Sequence, residues 1–256
     1  MTLPADPWAD LRRHTPARIA LGRAGSSMPT AELLRFAAAH AQARDAVHIA
    51  LDDAALARDL AALGLAPLIV RSRAPDRETY LRRPDLGRRL APTDAQRLVA
   101  AAAAAAGPVD LALVLGDGLS ATALQQHAAP LLAALLPLLA PGLRLAPPVL
   151  ATQARVALAD EIGALLQANV VLILLGERPG LSAPDSLGAY LTHAPRLGCN
   201  DAQRNCVSNI RPAGLPLDLA ARRLAWLLHE SRRRQLSGVG LKDGSGRPLL
   251  PGTAGA

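Results

Sequence analysis

The sequence predicts an α/β protein, with a helical N-terminal region over residues 1–63 and a mainly parallel sheet, helices on both faces, over residues 64–256. Three observations predict it. "VDLALVLG" and "NVVLILLG" are almost continuously apolar, as strands buried on both faces must be. Helical patterns separate the strand-like runs, and that alternation builds a parallel sheet. "LGDGLS" and "LGERPG" then place tight turns after two strands, at the edge where such sheets bind ligands.

The elements follow in order. Asp10 to Arg13 begins a short helix that Pro16 breaks. Gly22, Gly25 and Pro29 punctuate a loop. Thr30 caps a helix whose apolar residues are Leu33, Leu34, Phe36, Ala37, Val47 and Leu51. A second helix runs to about Leu63 and stops at Gly64. "PLIVRS" is a strand, and "PTDAQRLVAAAAAAAG" is a helix capped by Thr93. "VDLALVLG" is a strand, and "SATALQQHAAPLLAALLPLLA" is helical with a kink at a proline. "LRLAPPVLA" reads as a bent or edge strand, because proline cannot donate to a ladder. "ARVALADEIGALLQA" contains a helix, "NVVLILLG" is a strand, and "DLAARRLAWLLHESRRRQLSG" is the last long helix.

Composition bounds the function. The chain has 256 residues, enough for one large domain or a medium one with a small companion. Half its residues are hydrophobic and only 2% aromatic, so the core is aliphatic and packs over small residues. The net charge is +7, yet the basic residues are arginines scattered among carboxylates, with Lys242 the single lysine. Arg232, Arg233 and Arg234 form the one dense run, at the end of a helix where cations suit the dipole. There is no zinc-finger spacing, no RNA-binding signature and little aromatic surface for base stacking, which argues against nucleic acid. Cys199 and Cys206 do not have metal-ligand spacing and are expected as free thiols. "LLAALLPLLAPGL" is too short to span a bilayer, and the N-terminus lacks a signal-peptide core, so a cytoplasmic protein without membrane contact is expected.

Four stretches could carry chemistry. Gly116, Gly118 and Ala121 have the spacing of a dinucleotide loop between a strand and a helix. However, no acidic residue follows at the distance needed to hold a ribose, and Asp117 would repel a pyrophosphate. A stand-alone dinucleotide-binding protein is therefore the alternative reading. In "GERPG", Glu177 and Arg178 read either as a solvated turn or as polar groups facing a ligand at the sheet edge. "CNDAQRNCVSNIRPAG" crowds Asn200, Asp201, Arg204, Asn205, Ser208 and Asn209 around Cys206. A self-satisfied loop explains that composition, and a nucleophilic Cys206 would need a base such as His193 beside it. "YLRRPDLGRRL" sets Arg82, Arg83, Arg88 and Arg89 around Pro84, Asp85 and Gly87, as a solvated face or as a subunit or phosphate contact. There is no G-x-S-x-G, H-E-x-x-H or P-loop, so the chain offers no complete active site of its own.

Taken in order, "DPWADLRRHTPARIALGRAG", "YLRRPDLGRRL", "GDGLSATAL", "GERPGLSAPDSLGAYLTHAP" and "RNCVSNIR" resemble the small (light) subunit family of ethanolamine ammonia-lyase, an adenosylcobalamin-dependent enzyme. The resemblance covers nearly the whole chain and implies a helical N-terminal part followed by a Rossmann-like domain. It also implies a large-subunit partner, a TIM barrel that binds ethanolamine and hosts the radical chemistry, with heterodimers building a higher oligomer. The cofactor lies between the subunits, base-on, and the reaction releases acetaldehyde and ammonia. The family's small-subunit contacts to cobalamin fall here on Val156, Glu177 and Cys206, while Arg178 supports the turn or the interface. No catalytic residue and no protein metal ligand is implied. The family's G-R-V segment is "ARV" here, with Ala154 in place of glycine. Longer family members carry an N-terminal extension associated with packaging in bacterial microcompartments. This chain begins close to the shared core, so the expectation is a cytoplasmic location with a microcompartment as the alternative.

Overall fold

The computed structural model describes residues 6–15, 17–105 and 107–246; Pro16, the expected break, lies outside them. Helices α1 (Thr30–His48) and α2 (Asp53–Ala61) precede β1 (Leu68–Arg71), α3 (Arg77–Arg82) and α4 (Pro92–Ala104). Strand β2 (Val109–Gly116), α5 (Ala121–Leu135), β3 (Val149–Thr152), α6 (Leu158–Leu165) and β4 (Ala168–Gly176) follow. The chain continues through β5 (Leu187–His193) and β6 (Arg204–Ile210) to α7 (Leu217–Arg234).

The six strands form one sheet in the order β1-β3-β2-β4-β5-β6. The first four are parallel, and β5 and β6 run antiparallel to their neighbours. Alternate residues of a strand point to opposite faces, and here each face meets helices. Leu111, Leu113 and Leu115 of β2 join Leu56 and Leu60 of α2, Leu124 and Leu131 of α5 and Leu224 and Leu228 of α7 in one core. Ala112 and Val114 pack on the other side with Leu98 of α4 and Leu158 and Ile162 of α6. The expected aliphatic core and two-sided cover are both present.

β2 and β4 match the sequence reading closely. Other elements correct it. β3 is not an edge strand; it lies between β1 and β2. Pro147 and Pro148 sit just before the ladder, and the Pro148 carbonyl accepts from Leu68 N–H at 2.8 Å, so no ladder donor is lost. Thr30 and Thr93 are not caps. Pro29 and Ala91 hold the N-cap positions without side-chain bonds, and Pro92 fills the first helical position. α1 ends at His48, short of Leu51. Pro130 lies inside α5, which Ser120 caps by accepting from Ala123 N–H. Strand β5, strand β6 and helix α3 were not expected at all. The polar stretch around Cys206 is a strand rather than a loop, preceded by a turn in which Asn200 and Gln203 form a capping box.

The turns after β2 and β4 touch directly. Gly118 has φ +58°, and a Cβ there would lie 2.1 Å from the Gly176 carbonyl oxygen. Leu119 N–H donates to that same oxygen at 2.8 Å. Glycine is thus required at 118 by both conformation and space. Gly118→Ala should destabilise the fold by more than about 2 kcal/mol, combining left-handed strain with overpacking. The check is the urea midpoint, and a variant as stable as the parent would show that the two turns can separate freely.

Candidate functional site

The carboxyl edge of the sheet is built around a buried carboxylate. Asp117 follows β2 and turns inward, where Oδ1 accepts from Ala154 N–H and Oδ2 from Gln153 N–H, both at 2.9 Å. Arg77 lies 3.7 Å from Oδ2. Burial pushes the Asp117 pKa up, against these bonds and the arginine. The bonds pin the loop between β3 and α6, in which Gln153 has φ +56°. Arg155 and Val156 come next in that loop.

Tyr80 braces the loop from below. Its hydroxyl donates to Ala154 O at 2.9 Å. The guanidiniums of Arg77 and Arg155 lie 4.7 and 4.2 Å from its ring centroid. Full burial pushes the tyrosine pKa up to about 12. Ala154, where the family pattern has glycine, is also fully buried. A Cβ on Gly116 would meet the Ala154 methyl at 2.9 Å, so the methyl takes the space above Gly116.

Glu177 stands directly after β4. Its N–H donates to Ser186 O at 2.9 Å, which joins the turn to the start of β5. Its Oε2 accepts from the Ser186 hydroxyl and, at 3.1 Å, from Asn209 N–H on β6. Glu177 is therefore half-buried and bonded to two strands, while Arg178 is exposed. No ion pair joins Glu177 and Arg178, so the internal salt bridge is absent among the described residues.

The β5–β6 face turned away from α7 is covered at one end, where buried Arg204 pairs with Asp160 of α6, and open around Cys206. Val207 faces the core under α7, whereas Cys206 and Ser208 are exposed on the other side. Cys206 pairs with Tyr190 across the strands. Partial burial and the nearby Glu177 charge push the Cys206 pKa up. Burial and the Cys206 and Glu177 charges push Tyr190 up as well.

Val156, Glu177 and Tyr190 line one open cavity of about 420 Å³, with Leu119 and Leu175 as apolar wall. Of the three expected site residues, the structure thus brings Val156 and Glu177 to one cavity. It places Cys206 behind Tyr190, next to the cavity rather than in its lining. Tyr80, Asp117 and Tyr190 were missed by sequence reasoning. The only signal for Asp117 was its place in the glycine turn, where it reads as a charge facing outward.

The other readings lose their footing in this geometry. A Cβ on Gly116 would lie 2.6 Å from Leu175 Cδ1, so both glycines of the supposed dinucleotide loop are committed to packing on β4. His193 pairs with Val170 at the opposite end of β4, away from Cys206, which pairs with Tyr190. A thiol with raised pKa and no base is a poor nucleophile. Among the described residues no group of three or more His, Cys, Asp or Glu could hold a metal ion, and no helix is long and apolar enough to cross a membrane. Alkylation of Cys206 should have its half-rate pH above the free-thiol value of about 8.5. Glu177→Gln removes a negative charge and should move that midpoint down. Mass-spectrometric labelling across a pH series reads both, and a midpoint at or below the free value would contradict the placement of the thiol.

The family described as "Ethanolamine ammonia-lyase light chain (EutC)" matches residues 5–242. The chain is 60% identical over 239 residues to the ethanolamine ammonia-lyase small subunit of Azotobacter vinelandii, covering 93% of this chain and 88% of the relative. It is 57% identical over 241 residues to that of Pseudomonas syringae pv. tomato, covering 94% and 84%. It is also 57% identical over 250 residues to that of Ralstonia nicotianae, covering 97% and 93%. With a family match over nearly its whole length, the chain belongs to the ethanolamine ammonia-lyase light chain family.

Proposed function

We propose that this chain supplies one wall of an adenosylcobalamin site completed by the ethanolamine ammonia-lyase large subunit, and that it holds the cofactor rather than transforming the substrate. The observation that carries the reading is the convergence of Val156, Glu177 and Tyr190 on one cavity beside the sheet face left open around Cys206. The residues fit the group. A corrin is a broad apolar ring fringed with carboxamides. Leu119, Leu175 and Val156 offer apolar surface. Glu177 offers a charged acceptor, since its bonds to Ser186 and Asn209 engage Oε2 and leave Oε1 without a partner. Val156 sits on a loop whose backbone Asp117 fixes, so it can present a main-chain group at a set position. Cys206 acts at the margin, through Tyr190.

Adenosylcobalamin held by Val156 and Glu177 would supply the radical chemistry that turns ethanolamine into acetaldehyde and ammonia. The residues of this chain bind, orient and exclude water. None is placed to move a proton at a substrate atom. The large subunit carries the ethanolamine site, and the heterodimers build a higher oligomer. The setting is the cytoplasm, or a bacterial microcompartment within it.

The test uses the co-expressed two-subunit enzyme, with acetaldehyde release measured against cobalamin concentration. Glu177→Ala should weaken cobalamin affinity roughly ten- to a hundredfold, the cost of losing a charged hydrogen-bond acceptor at about 1.5–3 kcal/mol. Glu177→Gln should lose less, because an acceptor oxygen remains. Cys206→Ser should be milder than Glu177→Ala. All three should reach the parental rate at saturating cofactor. Lost turnover at saturation in Cys206→Ser, with unchanged affinity in Glu177→Ala, would refute the platform role.

A further inference from the structure

A second cleft, of about 620 Å³, opens on the other side of Val156 and shares Arg155 and Val156 with the first cavity. Four arginines line it: Arg88, Arg89, Arg155 and Arg204. Two of them are neutralised. Arg204 is buried, pairs with Asp160, and donates to Asp201 at 2.9 Å and to Cys199 O at 2.8 Å. Arg89 reaches Glu161 at 3.1 Å. Arg204 thus meets two carboxylates that line the cleft, Asp160 and Asp201, and Arg89 meets Glu161, so three carboxylates face the four arginines.

Arg88 and Arg155 remain uncompensated. The Arg88 guanidinium is exposed and has no partner among the described residues. Arg155 pairs with no carboxylate. It donates through Nη2 to Tyr80 O at 3.3 Å, its guanidinium lies 4.2 Å from the Tyr80 centroid, and its buried Nε has no acceptor. The two arginines are brought together by backbone: Arg155 N–H donates to Gly87 O at 2.8 Å, next to Arg88. A Cβ on Gly87 would lie 2.9 Å from Arg155 Cγ, so the approach is tight. The buried Nε is closed to solvent, so an anion in the cleft would meet the remaining guanidinium N–H groups that no carboxylate holds.

We propose that Arg88 and Arg155 form a phosphate-ester site beside Val156, and that it takes the phosphodiester of the cofactor's nucleotide tail. Guanidinium forks match phosphate oxygens, and the two together exceed the single negative charge of a phosphodiester. Continuity with the first cavity places this anion next to the ring it is tethered to. The choice of cofactor as source rests on the cobalamin reading; the anion site itself does not.

The experiment uses the assembled enzyme and compares adenosylcobalamin with adenosylcobinamide, which lacks the phosphate, ribose and base. Arg88→Ala should weaken cobalamin binding about tenfold and leave cobinamide binding unchanged. Arg88→Lys should recover most of the loss. Inorganic phosphate should compete with cobalamin in the parent enzyme and not in Arg88→Ala. Equal losses for both corrinoids, or no loss for either, overturn the proposal. A large subunit that dissociates in Arg88→Ala while cobalamin affinity persists would assign the arginines to a partner carboxylate instead. Arg88-dependent binding of AMP that cobalamin does not displace would assign the site to a free nucleotide. If neither corrinoid binds the parent enzyme, the cofactor reading fails by itself, while the phosphate titration still reports on Arg88.

Discussion

The buried carboxylate of Asp117 is the constraint on which the carboxyl edge depends. One side chain after β2 receives two backbone donors from the loop after β3. That ties the ends of neighbouring parallel strands, while Gly118 docks the same turn on Gly176 after β4. Three strand ends are thereby held at fixed spacing, with the Ala154 methyl and Leu175 packed over Gly116. Each Asp117 oxygen is bonded, yet desolvation remains the largest influence on its protonation and raises its pKa. Arg77 extends the network: it donates to Gly118 O at 2.8 Å and to Val47 O, near the end of α1, at 2.7 Å.

Around that frame, charge is sorted by position. Several helix arginines meet carboxylates on the same or an adjacent turn, as Arg233 meets Glu230, and such exposed pairs contribute little to stability. Arg204 and Asp160 are different, since both are buried and each leaves the other stranded if removed. The net positive charge of the chain thus resolves into many local pairs and a few arginines without an internal partner. It needs no nucleic acid to explain it.

Much of the fold was legible because burial on both faces writes a plain signal. β2 and β4 are nearly unbroken aliphatic runs, and their ends are where the glycines fall. β5 and β6 were not legible. β6 alternates Cys206, Val207 and Ser208 because only one face is covered there, and its asparagines and serine read as loop chemistry. α3 is six residues long, too short for a period. Threonine after proline misled the helix starts, because proline itself suits that position. At the site, Glu177 could be placed at the ligand edge from topology alone. Val156 and Cys206 came only from family likeness, since nothing in "ARV" or "NCVSN" shows what lies across from it. Asp117 read as repulsive because a sequence displays a charge and hides the backbone donors that meet it.

The strand order also bears on how the molecule comes to exist. β1 must wait for β3, and β2 for both β3 and β4, so the parallel half closes through pairings distant in sequence. β5 and β6 pair with neighbours in sequence, β5 with β4 and β6 with β5. Contacts of long sequence separation are slow to form, because chain entropy is lost before they repay it. Glu177 is bonded to both halves, through β4 and through Asn209. Its final geometry therefore needs both halves, because the edge is complete only when Asn209 lies beside Glu177. Until then the uncovered strands are open to pairing with other chains, a period of exposure that prompt association with a partner would shorten.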